Sequence, residues 1–255
     1  MISVKTAKEI DEMRLACHIS AEVLALAGKA VRPGITTAYL DKLIYDYIVG
    51  QGAKPSFKGY GGFPGSACIS VNDTVIHGIP SKSIVLKEGD IVSIDVGAEI
   101  NGFNGDNAAT FACGTVSNAA QTLMDVTRES LALGIAAAVT GARVGDIGAA
   151  VQNCVEQNGF SVVRTFVGHG VGRKLHEEPE VPNFGPAGRG ARLVSGMTLA
   201  IEPMVNEKSH VVKTLSDEWT VKTVDGGLSA HFEHTIAITS NGPEILTVPR
   251  EKFEG

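Results

Sequence analysis

What this 255-residue chain lacks narrows what it can be. No apolar run is long enough to span a bilayer. The best candidate, Ser130 to Ala142, offers 13 residues without a charge, against roughly 20 for a transmembrane helix. The N-terminal MISVKTAKEIDEMR mixes acids and bases where a signal peptide needs an apolar core. A cytoplasmic protein with no membrane association is therefore expected. There is no basic block, and the net charge is −6. A phosphate-backbone binder would want a clustered positive face, so direct nucleic-acid recognition is not expected. Cysteine is sparse: Cys17, Cys68, Cys113 and Cys154 form no CxxC pair. Buried reduced thiols fit better than a disulfide scaffold or a thiolate metal site. Disorder is excluded for the bulk of the chain by 44% hydrophobic and 20% charged residues, ordinary values for a globular protein. The 30 glycines follow no three-residue period and point to tight turns rather than collagen.

What is present looks like a divergent duplication. Shifting the chain by 107 residues lays Leu24-Ala25-Leu26 on Leu131-Ala132-Leu133, Gly34 on Gly141 and Gly52 on Gly159. The same shift lays Leu86 and Gly89 on Leu193 and Gly196, and Ile94-Asp95 on Ile201-Glu202. Secondary structure reads alike in both halves. Thr6-Ala7-Lys8-Glu9 has the form of a capping box, which satisfies two orphan amides at a helix start. Ile10, Met13, Cys17, Leu24 and Ala27 follow a helical period, Pro33-Gly34 breaks it, and Leu40, Ile44 and Ile48 stripe a second helix. In the second half, Leu123, Val126, Leu131 and Ile135, then Ile147, Val151 and Val155, repeat the order around Gly141. Strands follow in each half. With no Pro/Gly/Ser-rich linker, the chain reads as a single domain over 1–255 with an internal repeat of roughly 6–113 and 114–240.

Carboxylates occur where strands should be apolar. Ile91 to Ile100 is strand-like and carries Asp95, and Asn101-Gly102 is a strong type I′ hairpin signal because both positions need positive φ. Pairing Ile100 with Phe103 sets Asp95 opposite position 108 and makes Asp106 a diagonal neighbour on the same face. Such a pair can be a solvated edge, can share a proton, or can hold a cation. The second half favours the cation. Glu202 follows the apolar Met197–Ile201, Glu233 lies in the strand-like Ser229–Ile236, and His169 sits in Gly168-His169-Gly170-Val171-Gly172. Four carboxylates and one imidazole suit divalent ions, and differ from a thiolate-based structural zinc site. His18 and His231 receive no role, and His234 is expected on the opposite strand face from Glu233.

The runs VNDTVIHGIP (71–80), IDVGAEINGFNGD (94–106), GHGVGRKLHEEP (168–179), IEPM (201–204) and FEHTI (232–236) closely resemble the type I methionine aminopeptidases, in that family's order and spacing. The resemblance implies an α/β (α+β) pita-bread fold: two pseudo-symmetric helix–helix–sheet halves around a shared antiparallel sheet core. It implies two divalent ions (Co, Mn, Fe or Zn) held by Asp95, Asp106, His169, Glu202 and Glu233, with Asp106 and Glu233 bridging. It implies removal of N-terminal methionine from peptides and nascent proteins, with a small second residue preferred. Glu202 would carry the proton of the attacking water, His176 would polarise the scissile carbonyl, and His77 would contact the scissile amide. Tyr60, Phe63, Cys68, His77, His176 and Trp219 would bind substrate, with Phe57 standing where the family carries a small residue or Cys. A monovalent cation near Asn72 and Ser229, contact with the ribosome and a monomeric state complete what it implies. The nearest rival, a proline-specific peptidase of the same fold, carries an additional N-terminal domain. That domain is not expected where helix-like sequence begins near residue 6, and the long insertion that type II methionine enzymes carry within the catalytic domain is not expected here either. A metal-free binding module on the same scaffold would be expected to lack ligands, and none is missing.

Overall fold

A computed structural model describes residues 2–250. Four helices back a curled, mainly antiparallel sheet: α1 (Ala7–Ala30), α2 (Thr37–Gly50), α3 (Asn118–Ala137) and α4 (Val144–Gln157). The start of α1 is fixed as its residues dictate: Glu9 N–H donates to Thr6 Oγ1 (3.3 Å), and Glu9 Oε2 accepts from Thr6 N–H (3.0 Å). Met13, Cys17, Leu24 and Ala27 of α1 and Leu40, Ile44 and Ile48 of α2 are buried.

Among the described residues the main sheet has nine strands. Its central order is the Asp95 strand (Ile91–Ile100), the Asp106 strand (Phe103–Ala112), the Glu233 strand (Glu233–Thr239), the Thr198–Ile201 strand leading to Glu202, and the His169 strand (Gly168–Gly170). Ile91 pairs with Ala112 and Ile100 with Phe103, so the hairpin register follows the Asn101-Gly102 turn, where φ is 55° and 75°. One face of this sheet is apolar and lies under the helices. Val92, Ile94 and Val96 pack with α1 and α2, while Leu199, Ile201, Ile236 and Ile238 pack with α3 and α4. Alternation sends Asp95 and Glu233 to the other face.

Elements recur at the 107-residue spacing. α2 (Thr37–Gly50) corresponds to α4 (Val144–Gln157), and the short strand Lys54–Pro55 to Ser161–Val162. The isolated bridge Thr36–Val85 has its counterpart in Arg143–Arg192. Gly34, Gly52 and Gly89 have positive φ, as do Gly141, Gly159 and Gly196. Sequence Ser229–Ile236 does not form one strand. It breaks at Phe232, with Ser229–His231 joining a three-stranded sheet with Met204–Asn206 and Ser161–Val162. A second small sheet, Thr74–Ile76, Val212–Thr214 and Val221–Thr223, carries His77 and Trp219 on its connections. Among the described residues no helix is long and apolar enough to cross a membrane.

The Asp106 strand is held close to α1 at Gly105. A Cβ there would collide with backbone atoms of Ala16 and Cys17. Gly105→Val is expected to destabilise the protein by about 1–3 kcal/mol through overpacking. Urea unfolding checks this, and an unchanged midpoint would contradict so tight a helix–sheet contact.

Candidate metal centre and substrate cleft

Strand register alone draws the acidic side chains together. Ala108 of the Asp106 strand is paired with Asp95 on one side and with Glu233 on the other. Asp106, two residues before Ala108, shares their face. In the next strand His234 pairs with Ile201, which leaves Glu202 beside Glu233. His169 pairs with Ala200, again two residues from Glu202 and on its face. Five side chains from five neighbouring chain segments thus meet on the face turned away from the helices. Small residues let the His169 strand approach: a Cβ at Gly168 would strike the Ala200 carbonyl, and one at Gly170 the Glu178 carbonyl.

Donor atoms of Asp106, His169 and Glu233 all lie within 4.8 Å of one another. His169 Nε2 is 3.4 Å from Glu202 Oε1 and 3.8 Å from Asp106 Oδ2. The second ring nitrogen, Nδ1, is 2.9 Å from the Gly170 carbonyl, which fixes the ring and leaves Nε2 to the cleft. Asp95 Oδ1 and Glu233 Oε1 are buried without a hydrogen-bond partner among the described residues. Orphaned carboxylate oxygens beside an imidazole are what a divalent cation would satisfy, so the donor set fits a metal centre.

Burial governs the electrostatics. It raises the Asp95, Glu202 and Glu233 carboxyls well above their ordinary range, reinforced at each by neighbouring carboxylates. Asp106 is raised to about 7 by burial, held back by the Asn107 N–H donating to it. Burial lowers His169 to about 3 and His77 to about 4, with His176 adding to both, and it lowers His176 itself. These are neutral imidazoles near pH 7.

One cleft gathers every residue assigned from the sequence to the divalent ions, the chemistry or the substrate, while Asn72 and Ser229 are not among its lining. It is lined by Asp95, Asp106, His169, Glu202 and Glu233, by His77 and His176, and by Phe57, Tyr60, Phe63, Cys68 and Trp219. Phe63 and Trp219 meet edge to face with centroids 5.1 Å apart, and the His77 ring lies 6.0 Å from Trp219. Phe57 is buried against Phe63, Cys68 and Leu175, and the whole cleft holds about 70 Å³. The Tyr60 hydroxyl is 2.7 Å from His176 Nδ1, and the His176 ring stands 4.3 Å from that of His169. Beyond His77 and His176 a second cleft of about 680 Å³ opens outward past Phe166, Arg173 and Glu180. His234 points away from the cleft, with Nδ1 2.8 Å from Thr247 Oγ1.

One neighbour of the site was not legible beforehand. His231, given no role from sequence, is buried, lowered to about 3 by burial and by His77, and its Nε2 lies 3.6 Å from Glu202 Oε2. The only signal for it was its place two residues before Glu233, and the break at Phe232 hid even that.

The model of metallopeptidase family M24 matches residues 11–240. A methionine aminopeptidase of Clostridium perfringens is 58% identical over 248 residues, covering 97% of this chain and 99% of that one. The crystal structure of a methionine aminopeptidase from Thermotoga maritima, 48% identical, superposes with a TM-score of 0.95 and covers 97% of this chain and 99% of its own. A Pyrococcus furiosus prolidase, 22% identical with a TM-score of 0.79, shares the fold, and only 66% of its chain is matched.

The carboxyl groups must ionise to hold cations. Because burial raises them, the metal-free cleft retains protons near neutrality and releases them on binding. Affinity for Mn²⁺ is therefore expected to rise with pH between 6 and 8, about tenfold per pH unit for each proton released. Calorimetry in buffers of different ionisation enthalpy checks this. Affinity independent of pH, with no proton release, would contradict the raised carboxyls.

Proposed function

Because the chain belongs to metallopeptidase family M24, we propose that it is a metal-dependent aminopeptidase that removes N-terminal methionine from peptides and nascent chains. The observation that carries this reading is one cleft in which five oxygen and imidazole donors abut a small apolar pocket lined by aromatics. Asp95, Asp106, His169, Glu202 and Glu233 would hold two divalent ions. Imidazole and carboxylate donors admit Mn²⁺, Fe²⁺, Co²⁺ or Zn²⁺. When bound, the ions supply an acidified water and a Lewis acid near neutral pH.

The remaining steps belong to the chain's own residues. Phe57, Phe63, Cys68 and Trp219 enclose the methionine side chain and exclude water from it. Glu202 accepts the proton of the attacking water and passes it to the departing amine, a task suited to a carboxyl raised by burial. Its main chain is anchored, since Asn183 Nδ2 donates to the Glu202 carbonyl at 3.1 Å. His176 stabilises the carbonyl oxygen as it gains charge. The Tyr60 hydroxyl, 2.7 Å from Nδ1, can donate there, and in that tautomer the ring proton sits on Nε2, the form that can donate to that oxygen. His77 contacts the scissile amide from a left-handed backbone conformation, φ 56°, a costly geometry kept at a functional position. A small second residue beside the cleaved methionine belongs to the same reading.

We read the whole chain as one catalytic domain of two related halves, supported by elements recurring 107 residues apart. A monovalent cation beside Asn72 and Ser229 belongs to the same reading, supported by their contact: Ser229 N–H donates to the Asn72 carbonyl at 2.9 Å. Action as a monomer in the cytoplasm, near the ribosome, is the setting this substrate implies.

Hydrolysis of Met-Ala-Ser tests the function. Chelator is expected to abolish it, Mn²⁺, Co²⁺ or Fe²⁺ to restore it, and Met-Lys-Ser to remain largely uncut. Cleavage of Xaa-Pro peptides but not Met-Ala-Ser would replace this reading with a proline peptidase. Separately, His176→Ala is expected to lower kcat by about 10²–10³, the cost of one oxyanion donor, while calorimetry still finds both ions bound. Loss of an ion in that variant would contradict the assignment.

A further inference from the structure

His231 is the buried imidazole beside the cleft that the proposed chemistry leaves unused. It ends the Ser229–His231 strand, and its backbone is pinned to the main sheet. Its N–H donates to Thr110 Oγ1 at 2.9 Å, and Thr110 Oγ1 lies 2.9 Å from the His231 carbonyl and 2.8 Å from Ser93 Oγ. The side chain therefore leaves a fixed backbone. Its ring is 1% exposed, and Nε2 has no hydrogen-bond partner among the described residues. A histidine kept only for packing would have its polar atoms satisfied.

What Nε2 faces is Glu202. The two oxygens of that carboxylate each have an imidazole: His169 Nε2 is 3.4 Å from Oε1, and His231 Nε2 is 3.6 Å from Oε2. Both gaps exceed a hydrogen bond by well under about 1 Å, within reach of a side-chain adjustment. The contact that places His231 is with Glu202 Oε2, the oxygen not shared with His169, so it is set to act on that carboxylate.

We infer that His231 is a positioning residue that directs its Nε2–H at Glu202 Oε2 and so fixes the plane of the carboxylate, turning Oε1 to His169 and the cleft. The inference rests on the reading above, in which Glu202 is both ligand and proton carrier. A carboxylate free to swing about its last bond would present either oxygen. One gripped from behind presents the same oxygen each time. Partners of this kind commonly change metal affinity or activity by 10–100-fold when removed.

The test is calorimetric titration of the metal-free full-length protein with Mn²⁺, alongside Met-Ala-Ser kinetics, for wild type, His231→Leu, His231→Asn and His231→Gln. Leu offers no donor and Asn falls short of Glu202, whereas the Gln amide reaches about as far as Nε2. Leu and Asn are expected to weaken Mn²⁺ binding about tenfold or more and to lower kcat with KM little changed, and Gln to restore both to within about threefold of wild type. Circular dichroism establishes which variants fold. If Leu does not, Asn against Gln decides the matter. Variants that bind Mn²⁺ and turn over like wild type, or a folded Gln variant no better than Asn, overturn the inference alone. Wild-type protein that takes up no Mn²⁺ overturns the function on which it rests. Wild-type protein that binds Mn²⁺ but cleaves no peptide also overturns that function, and the calorimetry then still scores His231.

Discussion

Repulsion among buried carboxylates is the constraint around which this molecule is organised. Asp95, Asp106, Glu202 and Glu233 share one sheltered face, and at an effective dielectric of 20 two like charges about 4 Å apart repel by about 4 kcal/mol. Their desolvation adds to that. Without cations the groups respond by holding protons, which is the sense of every raised carboxyl in the cleft. With cations the same convergence becomes a chelate. The backbone ladder is what keeps the side chains from relaxing apart. Each is fixed by register to a strand whose opposite face is locked under helices.

Much of this was legible in the chain because it depends on short-range rules. The Asn101-Gly102 turn dictates its own register, and that register alone sets Asp95 beside Asp106. The spacing of 107 residues relates Asp95 to Glu202 and anticipates matching helices, bridges and positive-φ glycines in the two halves. Apolar stripes such as Leu40, Ile44 and Ile48 become core because their period matches the helix they form.

Other features arise from contacts between segments far apart in sequence, which no local pattern encodes. The break at Phe232 moves the chain from a small sheet to the main one. It turns His231 and Glu233 toward the same carboxylates from different sheets. The bond from Tyr60 to His176 joins residues 116 apart. The loop carrying His176 is held in a similar way: Lys5 Nζ makes a buried 2.6 Å ion pair with Glu177, 172 residues along the chain. Phe57 shows the same limit. Its identity leaves the width of the pocket open, and its burial against Phe63, Cys68 and Leu175 follows only from the fold.

The two ends of the cleft divide the work between them. In the function proposed above, the apolar end would accept one unbranched side chain, the acidic wall would hold ions and move protons, and the wider outer cleft would lead the remaining peptide to solvent. All of it depends on cations making the acidic wall tolerable. The most direct measurement is anomalous diffraction from crystals grown with Mn²⁺. The account predicts two peaks enclosed by Asp95, Asp106, His169, Glu202 and Glu233. A cleft without such peaks, or ions bound only elsewhere on the molecule, would contradict it.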